Sequence, residues 1–347
     1  MRYQVLDSWR GIAALLVALF HFRVLGHFYE WSFVRHGWLW VDFFFVLSGF
    51  VITHAYGHRL GSFPEAASFA IRRVGRLWPL HIALLAAFFA LESVKWALLT
   101  SGAIEDAVPA FASGETYSPA ALLTNLFLIH SLGVHEILTW NTPSWSISTE
   151  LYVCVAFAIA CLLPARLFRI TIGAAIVGSF WLVAQSGSYL NTTYDYGFFR
   201  CALGFLVGHL TYRAHRTWSM RASSGGSFHE FVVLGAALLF VSGAGNGPAT
   251  LAAPFVFSAA VFIFSAERGR ISTWLRARPF QKLGEWSYSV YMVHMLVFVI
   301  FSRAMLVAER TMDTSLRVPY GDLQETTVID VFFFRTNLRW TSWRWAT

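Results

Sequence analysis

"PSWSISTELYVCVAFAIACLL", residues 143–163, is apolar over the length of a membrane-crossing helix and yet carries a glutamate, Glu150, near its start. A helix needs about 20 mostly apolar residues to cross the hydrocarbon, at ~1.5 Å of rise per residue. A carboxylate inside such a run is costly unless it is paired or faces a wet cavity, so it marks a functional site by default. The competing reading is a helix-terminus carboxylate, with Ser146 as cap and Glu150 four residues on.

The rest of the chain repeats this texture. Its 347 residues are 56% hydrophobic and 13% charged, with 33 Phe and 15 Trp, whereas soluble domains are about one quarter charged. Apolar runs occur at roughly 8–27, 38–56, 77–99, 145–164, 168–186, 197–212, 230–246, 249–267 and 286–306, with a doubtful tenth near 325–338. The expected fold is all-α: one polytopic helical bundle over residues 1–340, with about ten transmembrane helices. The first run, Gly11 to Leu25, lacks a small-x-small cleavage site and reads as a retained helix rather than a signal peptide. The segment 119–131, "PAALLTNLFLIHS", is apolar but short and reads as non-spanning.

With that segment left out of the count, every strongly basic connection falls on one side. These are "HRLGSFPEAASFAIRRVGR", "PARLFR", "YRAHRTWSMR" and "ERGRISTWLRARPFQK". The positive-inside rule makes that side cytoplasmic and places both chain ends there. The net charge of +7 is thus a topology signal, and no nucleic-acid partner is expected. Cys154, Cys161 and Cys201 lie in apolar runs without CxxC spacing, so neither a disulfide framework nor a metal site is expected. The "NTT" at 191–193 matches a glycosylation acceptor, which carries no meaning in a bacterium.

Ionisable residues inside the runs converge. Arg10 and His21 are eleven residues apart, which brings them within about 20° on one helical face and ~16 Å apart along the axis. Asp42, in the inward-running second helix, and Glu150 reach a similar depth in the outer half. Asp beside His makes an orienting acid and a general base, able to take a proton from an alcohol. The same groups could relay protons in a transporter, and Asp42 could equally belong to a structural ion pair. Arg72, Arg73 and Arg76 lie on the cytoplasmic side below Arg10; clustered guanidiniums suit phosphate oxygens, and they also suit anchoring by the positive-inside rule. Phosphate binders at the rim and a base ~16 Å further in suit a long ligand with a phosphorylated head and a reactive tail. Acyl-coenzyme A has that shape.

The chain resembles the acyltransferase-3 membrane proteins. The carriers are "LDSWRGIAALLVALFHF" with Arg10 and His21, "WVDFFFVLSGFVI" with Asp42 and Ser48-Gly49-Phe50, and "RRVGRLWPLH" with Arg73 and Arg76. "PSWSISTELY" with Trp145, Ser146 and Glu150, and "LGEWSYSVYMVHMLVF" with Ser287, Tyr288, Tyr291 and His294, complete the order over residues 6 to 300. The resemblance implies a bacterial inner-membrane enzyme that moves an acyl group, often acetyl, from cytoplasmic acyl-coenzyme A to a hydroxyl of an envelope glycan or glycolipid. It implies acyl-coenzyme A as co-substrate and membrane lipid as surroundings, with no bound cofactor.

On this reading Arg10, Arg73, Arg76 and Arg72 hold the coenzyme phosphates, His21 is the base, and Asp42 fixes its tautomer. Glu150, Trp145 and Ser146 line the acceptor's path, with a sugar ring stacked on Trp145. Ser48 and Ser146 are candidates to stabilise an oxyanion, though Ser48-Gly49 also reads as a close helix-packing pair. Tyr288 and His294 belong to donor binding or to packing. A proton-coupled transporter or flippase using His21, Asp42 and Glu150 is the alternative, and a catalytically inert scaffold is a third. The segment 325–347 departs from the family's usual last helix and reads as truncated, frameshifted or divergent.

Overall fold

The computed structural model describes residues 3–22, 24–25, 31–104, 109–218, 226–312, 317–319 and 327–330. The chain is built from helices α1 (Gln4–His21), α2 (Ser32–Arg35), α3 (Trp40–Tyr56), α4 (Phe63–Thr100), α5 (Pro119–Leu126) and α6 (Ser144–Ala160). These continue as α7 (Ala165–Gln185), α8 (Gly197–Trp218), α9 (Ser227–Gly243), α10 (Ala253–Phe264), α11 (Arg270–Leu275) and α12 (Arg278–Met312). Among the described residues four helical segments, not the ten expected, are long and apolar enough to cross a membrane: 37–56, 63–100, 165–185 and 278–305. Three shorter apolar helices, at 144–160, 227–243 and 248–264, accompany them. Helices α1 and α8 are not among these, since Asp7 and Arg10 dilute one apolar run and Arg200, Arg213 and Arg216 the other.

Each of the first nine expected runs coincides with a helix, and 119–131 holds only the eight-residue α5, capped by Ser118 and opened by Pro119. The tenth does not follow the expectation. Residues 327–330 form strand β3 in a small sheet, parallel to β1 (Val24–Leu25) and antiparallel to β2 (Arg317–Pro319). "TVID" is a run of β-branched residues closed by Asp330, a composition that favours extended backbone. The remainder of that tail lies outside the described residues. Helix α4 also differs from expectation: it starts at Phe63 rather than near residue 77, with Pro64 in its first turn. Arg72, Arg73 and Arg76 therefore lie inside a helix rather than in a connection.

Two parallel helix pairs set the frame, both drawn together by glycine. A side chain at Gly49 would overlap the Phe205 carbonyl, and one at Gly208 the Val46 carbonyl, so α3 and α8 touch backbone to backbone. Gly11 and Gly284 do the same for α1 and α12, against Leu283 and the Asp7 carbonyl respectively. The second contact sets Arg10 beside Ser287 and, further along, His21 beside His294. Buried carboxylates close the connections. Glu230 accepts the backbone N–H groups of Gly269 (3.0 Å), Ile271 (2.9 Å) and Ser272 (3.1 Å), capping α11 from α9.

Candidate active site

Five helices, α1, α3, α4, α6 and α12, converge on one cleft of about 120 Å³. Its polar wall consists of Arg10, Arg73, Arg76, Ser48, Glu150 and Tyr288. Ser146, Ser287 and Tyr291 also face it, and Phe44, Phe45 and Leu77 are among its apolar lining. Nine sequence-quoted residues thus meet although they come from five separate stretches of chain.

The hydrogen bonds fix each side chain. Arg10 donates from Nε to Ser287 Oγ (2.8 Å) and from Nη2 to the Gly284 carbonyl (3.1 Å), and pairs with Asp7 at 3.3 Å. Glu150 accepts from Ser48 Oγ at 2.6 Å and forms an ion pair with Arg73. Arg73 Nε is buried without a hydrogen-bond partner among the described residues, with the Cys154 thiol alongside. Arg76 is exposed and makes no hydrogen bond or ion pair among the described residues. Tyr288 donates to the Leu77 carbonyl at 2.5 Å, tying α12 to α4. Ser146 Oγ lies 2.8 Å from the Tyr291 hydroxyl and 3.0 Å from the Pro143 carbonyl. The cleft therefore offers cationic donors on one wall and a carboxylate already committed to Arg73 and Ser48.

His21 and His294 do not line this cleft; they form a second element next to Tyr291. The Tyr291 and His294 rings are 5.9 Å apart, one helical turn along α12, and His294 Nε2 stands 3.2 Å from His21 Nδ1. His21 Nδ1 also lies 2.9 Å from the Val17 carbonyl. A carbonyl only accepts, so that contact assigns the Nδ1 proton and leaves the ring's lone pair on Nε2. The imidazole of α1 is thus oriented by its own helix and by a second histidine.

Asp42 does not play the part expected of it. Its carboxylate is fully buried and takes two bonds from Arg200, Nε to Oδ1 at 3.0 Å and Nη2 to Oδ2 at 2.7 Å. Arg200 also donates to the Thr192 carbonyl (3.0 Å), and its guanidinium lies 5.1 Å from both the Trp38 and Trp145 rings. The glycine contact of α3 with α8 turns Asp42 toward α8 and away from α1. The group on His21 Nδ1 is His294, and Asp42 belongs to the structural ion pair that sequence reasoning left open.

Three further assignments change. Arg72 is exposed, donates to Ser68 Oγ at 2.7 Å and stacks on Tyr56 at 5.7 Å, outside the cleft, because its α4 position points away from Arg73. Trp145 is buried against Arg200 and Phe45 and does not line the cleft, so no sugar can stack on it there. Glu150 sits on the arginine wall, where Arg73 and Ser48 hold it, rather than at a separate acceptor mouth. Ser146 does not cap α6, which begins at Ser144 without a side-chain cap. The close packing expected of Ser48-Gly49 is made by Gly49 on α8, while Ser48 turns into the cleft and gives its hydroxyl proton to Glu150.

Arg200 is the functional-looking residue that sequence reasoning missed. The signal was present: an arginine within the apolar run 197–212 meets the same intramembrane-charge criterion that singled out Asp42 and Glu150. His21, Asp42 and Glu150 stand in three separate networks among the described residues. A proton relay through all three has no contiguous path there.

Comparison with known proteins agrees with this assembly of motifs. The family model described as an acyltransferase domain matches residues 3–329. The chain belongs to the acyltransferase-3 family. It is 33% identical over 164 residues to "Protein 2 in picA locus" of Rhizobium radiobacter, covering 45% of this chain and 81% of that one. It is 26% identical over 306 residues to BcsY of Komagataeibacter xylinus, provisionally named a membrane-bound transacylase, covering 84% and 72%. The acyltransferase MdmB of Streptomyces mycarofaciens is 26% identical over 285 residues, 74% and 67% of the two chains. No solved structure matches. The apolar helices and the family together make this acyltransferase a membrane protein.

Proposed function

We propose that this chain transfers an acyl group, acetyl in the simplest case, from acyl-coenzyme A to a hydroxyl of an envelope glycan, glycolipid or related small molecule. The observation that carries the reading is the convergence of Arg10, Arg73 and Arg76 on one cleft whose Tyr291 ring stands 5.9 Å from that of His294, itself beside His21; neither histidine lines the cleft. Guanidiniums pair with the coenzyme phosphates through charge-assisted, often bidentate bonds. Arg76, exposed and without an ion pair among the described residues, lines the cleft beside Arg10 and Arg73 and is a donor suited to that ligand.

The donor's pantetheine arm follows the α1/α12 seam from Arg10 toward His21, ~16 Å along the axis. His21 Nε2 takes the proton of the acceptor hydroxyl as its oxygen attacks the thioester carbonyl. The carbon–sulfur bond breaks and the proton passes to the departing thiolate, so the products are an ester and free coenzyme A. His294, on Nδ1, holds the imidazole in register in the role first expected of Asp42. General-base catalysis of this kind contributes about 10²–10⁴-fold. The basic connections favour a bacterial inner-membrane topology with the arginine cleft facing the cytoplasm. No metal or bound cofactor enters the scheme.

The test is transfer of radiolabelled acetyl from acetyl-coenzyme A by the purified protein in lipid nanodiscs, beside His21→Ala and Arg10→Ala. Loss of turnover with coenzyme binding kept in His21→Ala, and loss of binding in Arg10→Ala, supports the scheme. A wild type that neither binds nor turns over acetyl-coenzyme A sinks it.

A further inference from the structure

A second cavity, of about 750 Å³, opens between α3, α6, α7 and α8 at the end of the bundle that carries the basic connections. It shares no lining residue with the arginine cleft. Arg213 and Arg216, three residues apart on one face of α8, form its exposed rim together with His58. No acidic residue lines it, and neither guanidinium makes an ion pair or hydrogen bond among the described residues. Its inner part is different in kind: Phe157 and Phe168 flank the ring of His209, at 5.3 Å and 5.7 Å.

His209 is 4% exposed and carries the unanswered polar atom of this cavity. Its Nδ1 lies 3.0 Å from Thr53 Oγ1, while its Nε2 is buried without a hydrogen-bond partner among the described residues. Thr53 Oγ1 already donates its proton to the Gly49 carbonyl at 2.7 Å. The hydroxyl must therefore accept from His209 Nδ1–H, which leaves a lone pair on Nε2. Arg213 stands one helical turn, ~6 Å along the axis, beyond His209. The cavity thus carries two guanidinium forks at its rim, the apolar faces of Phe157 and Phe168, and the buried acceptor His209 Nε2, with the hydroxyls of Thr53, Tyr212 and Thr217 also in its lining.

We propose that this cavity binds a phosphate ester bearing a hydroxyl group, with the phosphate on Arg213 and Arg216 and the hydroxyl donating to His209 Nε2. Paired arginine forks select the phosphate. A buried acceptor selects strongly for a partner hydroxyl, because an analogue lacking it leaves the nitrogen unpaired. A soluble polyol phosphate and a lysophospholipid both carry this chemistry, and basic pockets between membrane helices are known to take lipid headgroups. The assignment does not depend on the acyl-transfer scheme.

The experiment measures binding of radiolabelled glycerol 3-phosphate, and separately of labelled lysophosphatidylglycerol, to the full chain in phosphatidylcholine nanodiscs. The expected result is at least about tenfold weaker binding of one or both probes in Arg213→Ala/Arg216→Ala, from the loss of charge-assisted bonds. Two control pairs keep wild-type affinity: Arg270→Ala/Arg278→Ala, which removes equal charge elsewhere, and Arg73→Ala/Arg76→Ala, which removes two of the three arginines of the other cleft. In His209→Leu, glycerol 3-phosphate should fall to the affinity of methyl phosphate, which has no hydroxyl. Binding of glycerol 3-phosphate identifies a soluble ligand class, and binding of the lysolipid alone identifies a lipid. Binding of neither, or loss that is equal in either control pair, overturns the proposal. The rim arginines are exposed, so the double variant remains informative even where His209→Leu fails to fold.

Discussion

Replacing Asp42 by Asn separates the two parts this residue could play. The change keeps the size of the side chain but removes the charge opposite Arg200, whose side chain is 1% exposed while that of Asp42 is fully buried. It also turns one of the two oxygens that accept from Arg200 into a donor facing a donor. The Thr192 and Trp38 carbonyls still accept from the guanidinium, at 3.0 Å and 3.4 Å, but neither neutralises it. Breaking one side of a buried pair costs about 3–5 kcal/mol because a charge is left without compensation. Set against a typical stability of about 5–15 kcal/mol, that is a large fraction of the whole. Thermal unfolding in detergent should show a much lowered midpoint for Asp42→Asn and for Arg200→Ala. The double variant Asp42→Ala/Arg200→Ala should lose less than the two single losses combined, since both charges leave together. Turnover per folded molecule of Asp42→Asn should stay within about threefold of wild type. A variant that unfolds like wild type but has lost its turnover would refute the structural assignment and return Asp42 to the chemistry.

Other outcomes follow from the cleft and the helix contacts. Arg73→Ala and Arg10→Ala should each weaken coenzyme A binding by about 10–100-fold, one charge-assisted hydrogen bond or more, while exposed Arg72→Ala changes it less than about twofold; equilibrium binding in nanodiscs separates them. His294→Ala should lower kcat by about tenfold or more with coenzyme affinity kept, if it orients His21; a changed affinity with normal kcat would instead make it a donor-binding residue. Gly49→Ala and Gly208→Ala should each destabilise by about 1–3 kcal/mol or prevent assembly, because the added methyl meets a backbone carbonyl that cannot rotate away. Gly75→Ala, with nothing within 4 Å of the new methyl, should elute and melt as wild type in size-exclusion and thermal assays. Glu230→Ala should cost about 1–3 kcal/mol by stripping the start of α11 of its acceptor, measured as a lowered unfolding midpoint.

Much of this molecule was legible before its structure. Hydrophobic runs locate nine of its helices, because a backbone in an apolar setting must satisfy its hydrogen bonds within the helix; four of the described helical segments are long and apolar enough to cross a membrane. Charges inside those runs mark Arg10, Glu150, Asp42 and, by the same criterion, Arg200. Motif order carries the family. The β-branched composition of residues 327–330 favours extended backbone, but no local pattern announces that this stretch pairs with β1 at the other end of the chain as well as with its neighbour β2.

Which charge meets which was decided only by the packed bundle. Depth along a helix follows from residue counting, and counting placed His21, Asp42 and Glu150 at one level. Facing is a different quantity, set by how each helix is rotated against its neighbours. Gly49 and Gly208 seat α3 on α8 and send Asp42 to Arg200, while Gly11 and Gly284 seat α1 on α12 and bring His21 to His294. Arg72 and Arg73 are adjacent in sequence, yet ~100° of helical rotation sends one outward and the other to Glu150. The sequence by itself determined the membrane bundle, the family and the inventory of ionisable groups, because these depend on local composition and spacing. Their partnerships depend on contacts between residues up to 277 positions apart, as for Arg10 and Ser287, and only tertiary packing specifies those.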